Sequence, residues 1–435
     1  MRVLTVATVS IVGTVGILSA QTDPGVRGGA PSAGGPIKGL TQGELDFFNI
    51  QATPDFIQVE DVPNNGLGPR FNLDSCGGCH VHPAMGGTSP AINPQVAMAA
   101  TLAPAPNKIP AFLSSTGPIR EARFVKKPDG TPDGGVHDLF VITGRADAAG
   151  CTIQQPDFAQ ALAQRNVIFR IPTPVYGAGL IEAINEATLK QNLASDPDGR
   201  KAFFGIKGRF NTSGNDGTIT RFGWKAQNKS LEIFAGEAYN VEMGVANEVF
   251  PTEREENPNC SKVATPNTDL AYNPGGTVDS SDVLNFRGFM KFLAPPEPAC
   301  TGAACSASIQ AGGKLFVQVG CATCHTPTLI TGNNATAALR NQLVHLFSDL
   351  ALHRMGLGLQ DRITQGAAGP YEFRSAPLWG LGQRIFFLHD GRTSDLLAAI
   401  GEHASTFSEA NRVVEAFQNL TAQEKQDILN FLRSL

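Results

Sequence analysis

The sequence has little charge and no basic excess. Of its 435 residues, 17% are charged, and 34 Lys and Arg stand against 39 Asp and Glu, which gives a net charge of −5. Because nucleic-acid binding needs a clustered basic surface, this balance argues against nucleic acid as the main partner. Hydrophobic residues make up 42% of the chain, which excludes a fully disordered protein and supplies enough apolar material for a sizeable core.

Long apolar runs are absent after the N-terminus. Residues 2–20, RVLTVATVSIVGTVGILSA, place one Arg before a run of apolar and small residues that ends at Ala20. This order predicts a signal peptide, residues 1–20, with an uncleaved anchor helix as the alternative. No later stretch approaches ~20 apolar residues, so no stable membrane insertion is expected after cleavage. Export predicts a periplasmic location, where paired cysteines persist.

The chain also lacks an internal repeat of fixed period. The Gly- and Pro-rich residues 21–38 have no apolar periodicity and predict a flexible linker. Thr41 and Glu44 form a capping-box pattern that marks the first helix. Within residues 100–175, RFVKK and HDLFVI flank the turn-rich PDGTPDGG, which predicts a β-hairpin.

A Pro cluster in residues 294–306 is the best candidate for a domain boundary. It separates residues 39–298 from residues 299–435. In the second part, Thr421 and Glu424 form another capping box, followed by apolar residues at helical spacing. A C-terminal amphipathic helix is therefore predicted.

Two five-residue segments have the pattern C-x-x-C-H: Cys76-Gly77-Gly78-Cys79-His80 and Cys321-Ala322-Thr323-Cys324-His325. Two thiols at this spacing can form thioethers to the vinyl groups of a haem, and the adjacent His then binds the iron. A zinc site would need four ligands from paired knuckles, and a redox dithiol would need one C-x-x-C without a fixed His. The two segments predict two covalently bound haem c groups.

Four further cysteines lie outside these segments: Cys151, Cys260, Cys300 and Cys305. In an oxidising compartment they can form two disulfides with three possible connectivities, of which Cys300 to Cys305 is the local choice. Buried free thiols are the alternative.

Three parts of the chain resemble the di-haem oxidoreductase (putative peroxidase) family, related to bacterial di-haem cytochrome c peroxidases and MauG-like enzymes. They are GLGPRFNLDSCGGCHVHPAMGGTSP, RFGWKAQNKSLEIFAGEAYNVEMG, and the C-terminal run LHRMGLGLQD, RSAPLWGLG and FLHDGRTSDLLAAIGEH. The resemblance extends over about residues 39–435. It implies hydrogen peroxide as substrate, which the spacing of the cysteines alone does not.

The resemblance also implies roles for two residues. In the family a tryptophan lies between the haems, and a glutamate in a Glu-Met-Gly segment stands over the peroxidatic iron of the N-terminal haem. The matching residues here are Trp224 and Glu242. Cleavage of the O–O bond moves a proton from one peroxide oxygen to the other, and a fixed carboxylate can carry it. The alternatives are a core tryptophan and a surface glutamate at a helix end.

An iron with an open sixth position can react with a substrate, whereas an iron whose sixth position is filled is suited to electron transfer. In the relatives the C-terminal haem takes Met or Tyr a little over a dozen residues after an HDG segment, and that position here is His403. This implies bis-His ligation, with Met355 and His353 as rivals. His389 and Arg392, in HDGR, are assigned a structural or haem-propionate role, and a solvated surface position is the alternative for Arg392.

No sixth ligand is evident for the N-terminal haem. His82 is too close to His80 to reach the other face of the ring, and Met85 and Met98 are more typical of packing. An open iron is therefore expected. The relatives also bind calcium through backbone oxygens near the segment matching residues 374–377, and although no acidic loop here demands it, calcium stays open as a third cofactor.

The expected fold is mainly α, with two cytochrome c-like domains, the first carrying a β-containing insertion. The expected function is reduction of hydrogen peroxide at the His80 haem, with electrons relayed by the His325 haem from a small donor protein of the cytochrome c or cupredoxin type. A non-enzymatic electron carrier is one alternative. Oxygenase-like or protein-modifying chemistry is another.

Overall fold

The computed structural model describes residues 21–59, 66, 68, 72–101, 108–133, 155–252 and 280–435. This part of the chain is mainly α, as predicted. Its α-helices are α1 (Gln42–Phe47), α2 (Thr53–Ile57), α3 (Cys76–Cys79), α4 (Pro94–Thr101), α5 (Phe158–Ala163), α6 (Ala178–Ala183), α7 (Glu186–Ala194), α8 (Arg200–Phe204), α9 (Leu231–Val241), α10 (Asp282–Phe292), α11 (Ala307–Gln318), α12 (Gly356–Leu359), α13 (Leu396–Gly401), α14 (Asn411–Gln418) and α15 (Ala422–Ser434). No helix among these residues combines the length and apolar character needed to cross a membrane.

The described strands form three two-stranded antiparallel sheets. They are β1 (Glu121–Phe124) with β2 (Val167–Arg170), β3 (Leu329–Ile330) with β4 (Leu343–Val344), and β5 (Leu352–Arg354) with β6 (Glu372–Arg374). In the first sheet β1 pairs with a segment near residue 170, and the expected pairing of RFVKK with HDLFVI stays a prediction. The HDLFVI segment lies outside the described residues.

Both predicted capping boxes are present. The Glu44 amide donates to Thr41 Oγ1 at 3.3 Å and Glu44 Oε2 accepts from the Thr41 amide at 2.8 Å. At the start of α15 the corresponding distances for Thr421 and Glu424 are 3.2 and 2.9 Å. Each box satisfies two backbone donors that the first helical turn leaves without partners.

Removal of one cap gives a small and measurable loss of stability. We expect Thr421→Ala to lower the free energy of unfolding by about 1 kcal/mol, because the amide at the third helical position loses its acceptor. Chemical denaturation of the holoprotein measures this difference. Thr301→Ala is the matched control, since Thr301 precedes a short 3₁₀ helix without a side-chain cap. An equal loss in both variants would contradict the capping explanation.

The described chain contains two large hydrophobic cores, of which the first takes in residues from both halves, including Leu346 and Trp379. One includes α6, α9 and α10, and the other is formed mainly by α11 and α15. Gly312 permits the close approach of α11 to α15, because a Cβ at this position would lie 1.9 Å from the Asp427 carbonyl oxygen. Each core thus supports one C-x-x-C-H segment at its edge.

A buried ionic cluster joins β2 to the C-terminal half. Arg170 pairs with Asp361, and Lys225 Nζ lies 3.0 Å from the other oxygen of the same carboxylate. Lys225 Nζ also donates to the carbonyl of Gly369 at 2.8 Å. Burial lowers the pKa of Lys225 to about 8 despite the attraction of Asp361. One carboxylate therefore holds two buried cations beside Trp224.

Cys300 and Cys305 form a disulfide, as the sequence suggested. Cys151 and Cys260 lie outside the described residues. The described cysteines that are not in a disulfide are the four of the C-x-x-C segments: Cys76, Cys79, Cys321 and Cys324.

Candidate functional site

The first C-x-x-C-H segment faces a cavity with about 1110 Å³ of free space, part of it open to solvent. Cys76 and Cys79 begin and end the single turn of α3, and His80 follows directly. His80 Nδ1 lies 3.0 Å from the Gly87 carbonyl oxygen. Burial lowers the pKa of His80 to about 4, so the imidazole is neutral at pH 7.

The second segment faces a larger cavity, with about 1560 Å³ of free space. Cys321, Cys324 and His325 line it, and His325 Nδ1 lies 3.0 Å from the Phe347 carbonyl oxygen. Burial, together with repulsion from nearby His403, lowers the pKa of His325 to about 4. The two sites therefore share one local design.

This design suits haem. A neutral imidazole whose Nδ1 is held by a backbone carbonyl presents Nε2 to a metal in a fixed orientation. The two thiols beside each imidazole are half-buried and are not in a disulfide. The residues present thus fit two covalently attached haems, one in each cavity.

Two arginines that the sequence analysis missed strengthen the fit of the second cavity. Arg374 and Arg384 line it, and they bond to the backbone carbonyls of Gly223 and Pro377 at 3.1 and 3.0 Å. Neither has a carboxylate partner among the described residues, and burial lowers the pKa of each to about 10. Buried cations require anions, and the propionates of a haem have the matching charge.

Arg392, the predicted propionate partner, is placed differently. Its side chain bonds to Asp390 Oδ2 and Glu402 Oε2, both at 2.9 Å, and to the Gly358 carbonyl at 2.8 Å. It is not among the residues that line either cavity. The carboxylates that pair with Arg392 therefore come from the protein itself, from Asp390 and Glu402.

The candidates for the sixth ligand of the second iron all line the second cavity. His403 Nδ1 lies 2.8 Å from the Ala399 carbonyl oxygen, which leaves Nε2 free as at His325. His353 has both ring nitrogens occupied, by Asp349 at 3.0 Å and Glu409 at 3.1 Å. Met355 is buried and packs against Phe373 and its neighbours. The geometry favours His403.

Trp224 is the tryptophan that lines both cavities. Its Nε1 donates to the Ile171 carbonyl at 3.1 Å, which fixes the orientation of the indole. The His389 ring meets it edge to face, at 6.3 Å between centroids, and stacks on Phe373 at 4.4 Å. The aromatic group at the boundary between the cavities is thus held on several sides.

Glu242 follows α9 and lines the first cavity together with His80. Burial raises the pKa of Glu242 to about 8, and the carboxylate of Glu121 adds to this rise while Arg123 opposes it. A carboxyl group with a pKa near neutral pH can both hold and release a proton during a reaction. No functional motif in the sequence marks Glu121 or Arg123.

A second strong iron ligand is not evident in the first cavity. Within the described lining, His80 is the only imidazole, and Met243 and Met290 belong to the hydrophobic core. Met85 and Met98 do not line the cavity, and His82 Nε2 lies 2.7 Å from the Gln383 carbonyl oxygen. Among the described residues, no cluster of three or more His, Cys, Asp or Glu could hold a metal ion by itself, and calcium stays a prediction.

Comparison with protein families identifies the chain. Residues 121–435 match the model of the family described as "Di-haem oxidoreductase, putative peroxidase". The chain belongs to this family. It is therefore a di-haem oxidoreductase, an enzyme of the peroxidase type, as the resemblance implied. A comparison with curated proteins finds no match.

Three solved structures are distantly similar. A MauG-like protein associated with microbial copper homeostasis is 16% identical, with 60% of this chain and 89% of that one covered and a TM-score of 0.30. The diheme peroxidase BthA from Burkholderia thailandensis is 12% identical, with 61% and 86% covered and a TM-score of 0.31. Hydrazine synthase from Kuenenia stuttgartiensis is 17% identical, with 37% and 59% covered and a TM-score of 0.24. The chain thus spans less than two thirds of the hydrazine synthase chain, and these TM-scores are too low to establish a shared fold.

Proposed function

We propose that this di-haem oxidoreductase is a periplasmic peroxidase that reduces hydrogen peroxide to water. The observation that carries the proposal is the placement of Glu242, a carboxyl group with a raised pKa, in the same cavity as His80. Trp224 lines this cavity and the second one as well. An acid-base group and an inter-cavity aromatic residue are what a peroxidase with separate catalytic and electron-entry haems requires.

The residues that would hold the haems follow from the two cavities. Cys76 and Cys79 would form the thioethers of the first haem, and His80 would be its axial ligand. In the second cavity the equivalent residues are Cys321, Cys324 and His325, with His403 as the sixth ligand and Arg374 and Arg384 facing the propionates. When bound, the haems supply the redox-active iron.

The protein's own contribution to the chemistry is proton transfer. Reduction follows H₂O₂ + 2 e⁻ + 2 H⁺ → 2 H₂O, so one peroxide oxygen must lose a proton and the other must gain one before two waters leave. Glu242 would accept the first proton on a carboxylate oxygen and return it to the departing oxygen. Glu242 lines the same cavity as His80 and is therefore placed for this transfer.

Trp224 would connect the two sites. The Nε1–H bond to Ile171 and the His389 contact hold the indole at the boundary of both cavities. Electrons from a small cytochrome c or cupredoxin donor would enter at the His325 side and cross by way of Trp224. The protein would thereby separate donor docking from peroxide binding.

The domain arrangement belongs to the same proposal. Residues 39–298 would form an N-terminal haem domain with a β-containing insertion, and residues 299–435 a C-terminal cytochrome c domain. The core formed mainly by α11 and α15 lies within residues 299–435 and supports this division for the C-terminal domain. Residues 1–20 would be the signal peptide that directs export.

Turnover with peroxide tests the proposal. The purified holoprotein, shown by its pyridine haemochrome to carry two haems, is prereduced and mixed with peroxide and reduced cytochrome c or an artificial donor. We expect oxidation of two donor equivalents for each peroxide consumed. Absence of turnover in the fully loaded, prereduced protein would contradict peroxide reduction and favour an electron carrier.

A further inference from the structure

The β1–β2 sheet brings a second carboxylate into the first cavity. Side chains two residues apart on a strand lie on the same face, so Glu121 and Arg123 share one face of β1. Arg170 of β2 lies opposite Glu121 in register and shares that face. All three side chains line the cavity of His80 and Glu242. The alternation of side chains along β1 thus places the charged pair Glu121 and Arg123 at the site.

Glu121 has an unusual environment for a carboxylate. It is 6% exposed, and its Oε2 accepts a hydrogen bond from Arg123 Nη2 at 2.7 Å. Its Oε1 is buried and has no hydrogen-bond partner among the described residues. A buried carboxylate oxygen without a donor is costly. Such a group is better explained by the chemistry of the cavity than by the stability of the fold.

We propose that Glu121 is a positioning residue for proton transfer, which acts through Glu242 by placing a second negative charge in its cavity, so that Glu242 holds the proton taken from peroxide until it is returned. Two carboxyl groups that line one cavity disfavour each other's charge, so the carboxylate of Glu121 strengthens the binding of a proton by Glu242. Arg123 pairs with Glu121 and only partly compensates this repulsion. The inference rests on the proposed role of Glu242 in peroxide reduction.

The surroundings of Glu242 support this role. The charged and titratable groups that line the cavity around it are Glu121 and Arg123 of β1, Arg170 of β2, Glu237 of α9, Cys76 and Cys79 of α3, and His80, which follows α3. Arg170 is paired with Asp361, and the Cys79 thiol would be a neutral thioether after haem attachment. Three carboxyl groups, those of Glu121, Glu237 and Glu242, therefore share the cavity with the Arg123 guanidinium, which is paired with Glu121. Of the two other carboxylates, Glu121 has the larger effect on the pKa of Glu242.

Replacement of Glu121 by Gln removes this charge without a large change in shape. We expect the pKa of Glu242 in Glu121→Gln to fall by about one unit. The acid limb of kcat/KM for peroxide then moves to lower pH by the same amount. At pH 7, where the wild type has about a tenth of Glu242 ionised and the variant about half, kcat/KM rises about fivefold.

A second readout does not depend on turnover. Infrared difference spectra of the holoprotein report the C=O stretch of a protonated carboxyl group, and the band that Glu242→Gln lacks belongs to Glu242. In Glu121→Gln this band should disappear at lower pH than in the wild type. Glu121→Asp keeps the charge and should restore the wild-type position. Glu415→Gln, an exposed change in α14, is the matched control and should shift neither readout.

The outcomes separate the two proposals. If Glu121→Gln binds both haems and leaves the infrared titration unchanged, the role of Glu121 is overturned whatever the turnover. If the titration shifts and the wild type shows no peroxide turnover, only the peroxidase function fails. Arg123→Gln is an independent variant, expected to move the band to higher pH because the guanidinium lowers the pKa of Glu242. A shift to lower pH, or none, would count against the proposal.

Discussion

Replacement of Glu242 by Gln is expected to lower kcat/KM for peroxide by about 10²- to 10⁴-fold. The amide has nearly the same shape but cannot accept the proton that peroxide must lose. Haem content and the optical spectra should stay those of the wild type, because Glu242 is not a candidate ligand. Steady-state assays with a reduced donor after prereduction measure the effect.

The matched control for this change is Glu232→Gln. Glu232 lies in the same region, in the first turn of α9, but is exposed and pairs with Arg287 at the surface. We expect its activity to remain within about twofold of the wild type, as is usual for surface substitutions. If Glu242→Gln retained wild-type kcat/KM, another group would have to move the proton, and the assignment of Glu242 would be wrong.

Replacement of His403 by Ala is expected to change the spin state of the second haem. His403 lines the second cavity with its Nδ1 held by the Ala399 carbonyl, so its Nε2 is the best available sixth ligand. Loss of a strong ligand converts a low-spin ferric iron into an open or water-bound, high-spin one. Electron paramagnetic resonance of the oxidised holoprotein should therefore lose the low-spin signal of this haem.

Two other variants make the His403 result specific. His345→Ala removes an exposed imidazole that bonds to Thr328 at 2.8 Å, and it should leave the spectrum unchanged. His403→Met should keep the iron six-coordinate and raise its reduction potential, because a His-Met haem lies above a bis-His haem. A low-spin signal that survives in His403→Ala and disappears in Met355→Ala would show that Met355 is the ligand instead.

Local sequence signals predicted the parts of this protein that depend on near neighbours in the chain. The cysteines and histidine of each C-x-x-C-H segment lie within one turn, so they meet without a distant partner and could be predicted. Each segment lies at a cavity of suitable size. The capping boxes at Thr41 and Thr421 are confirmed for the same reason. The disulfide between Cys300 and Cys305 is likewise local.

The parts that depend on distant contacts were predicted poorly. The pairing of Glu121–Phe124 with Val167–Arg170 joins segments about forty residues apart, and no turn signal indicated it. No local pattern assigned a haem-propionate role to Arg374 or Arg384, and their position in the lining of the second cavity distinguishes them from Arg392, which was favoured for its charge in HDGR. Glu121 and Glu242 line the same cavity although they lie more than a hundred residues apart in the sequence. A single sequence has no local pattern that reports such approaches.

Electron paramagnetic resonance of the oxidised wild-type holoprotein tests the central claim most directly. The claim is that the His80 haem keeps an open position for peroxide while His325 and His403 fill both positions of the other iron. The expected spectrum contains one high-spin ferric signal and one low-spin signal in equal amounts. Two low-spin signals with no high-spin species, in protein that carries both haems, would contradict the claim and identify an electron carrier.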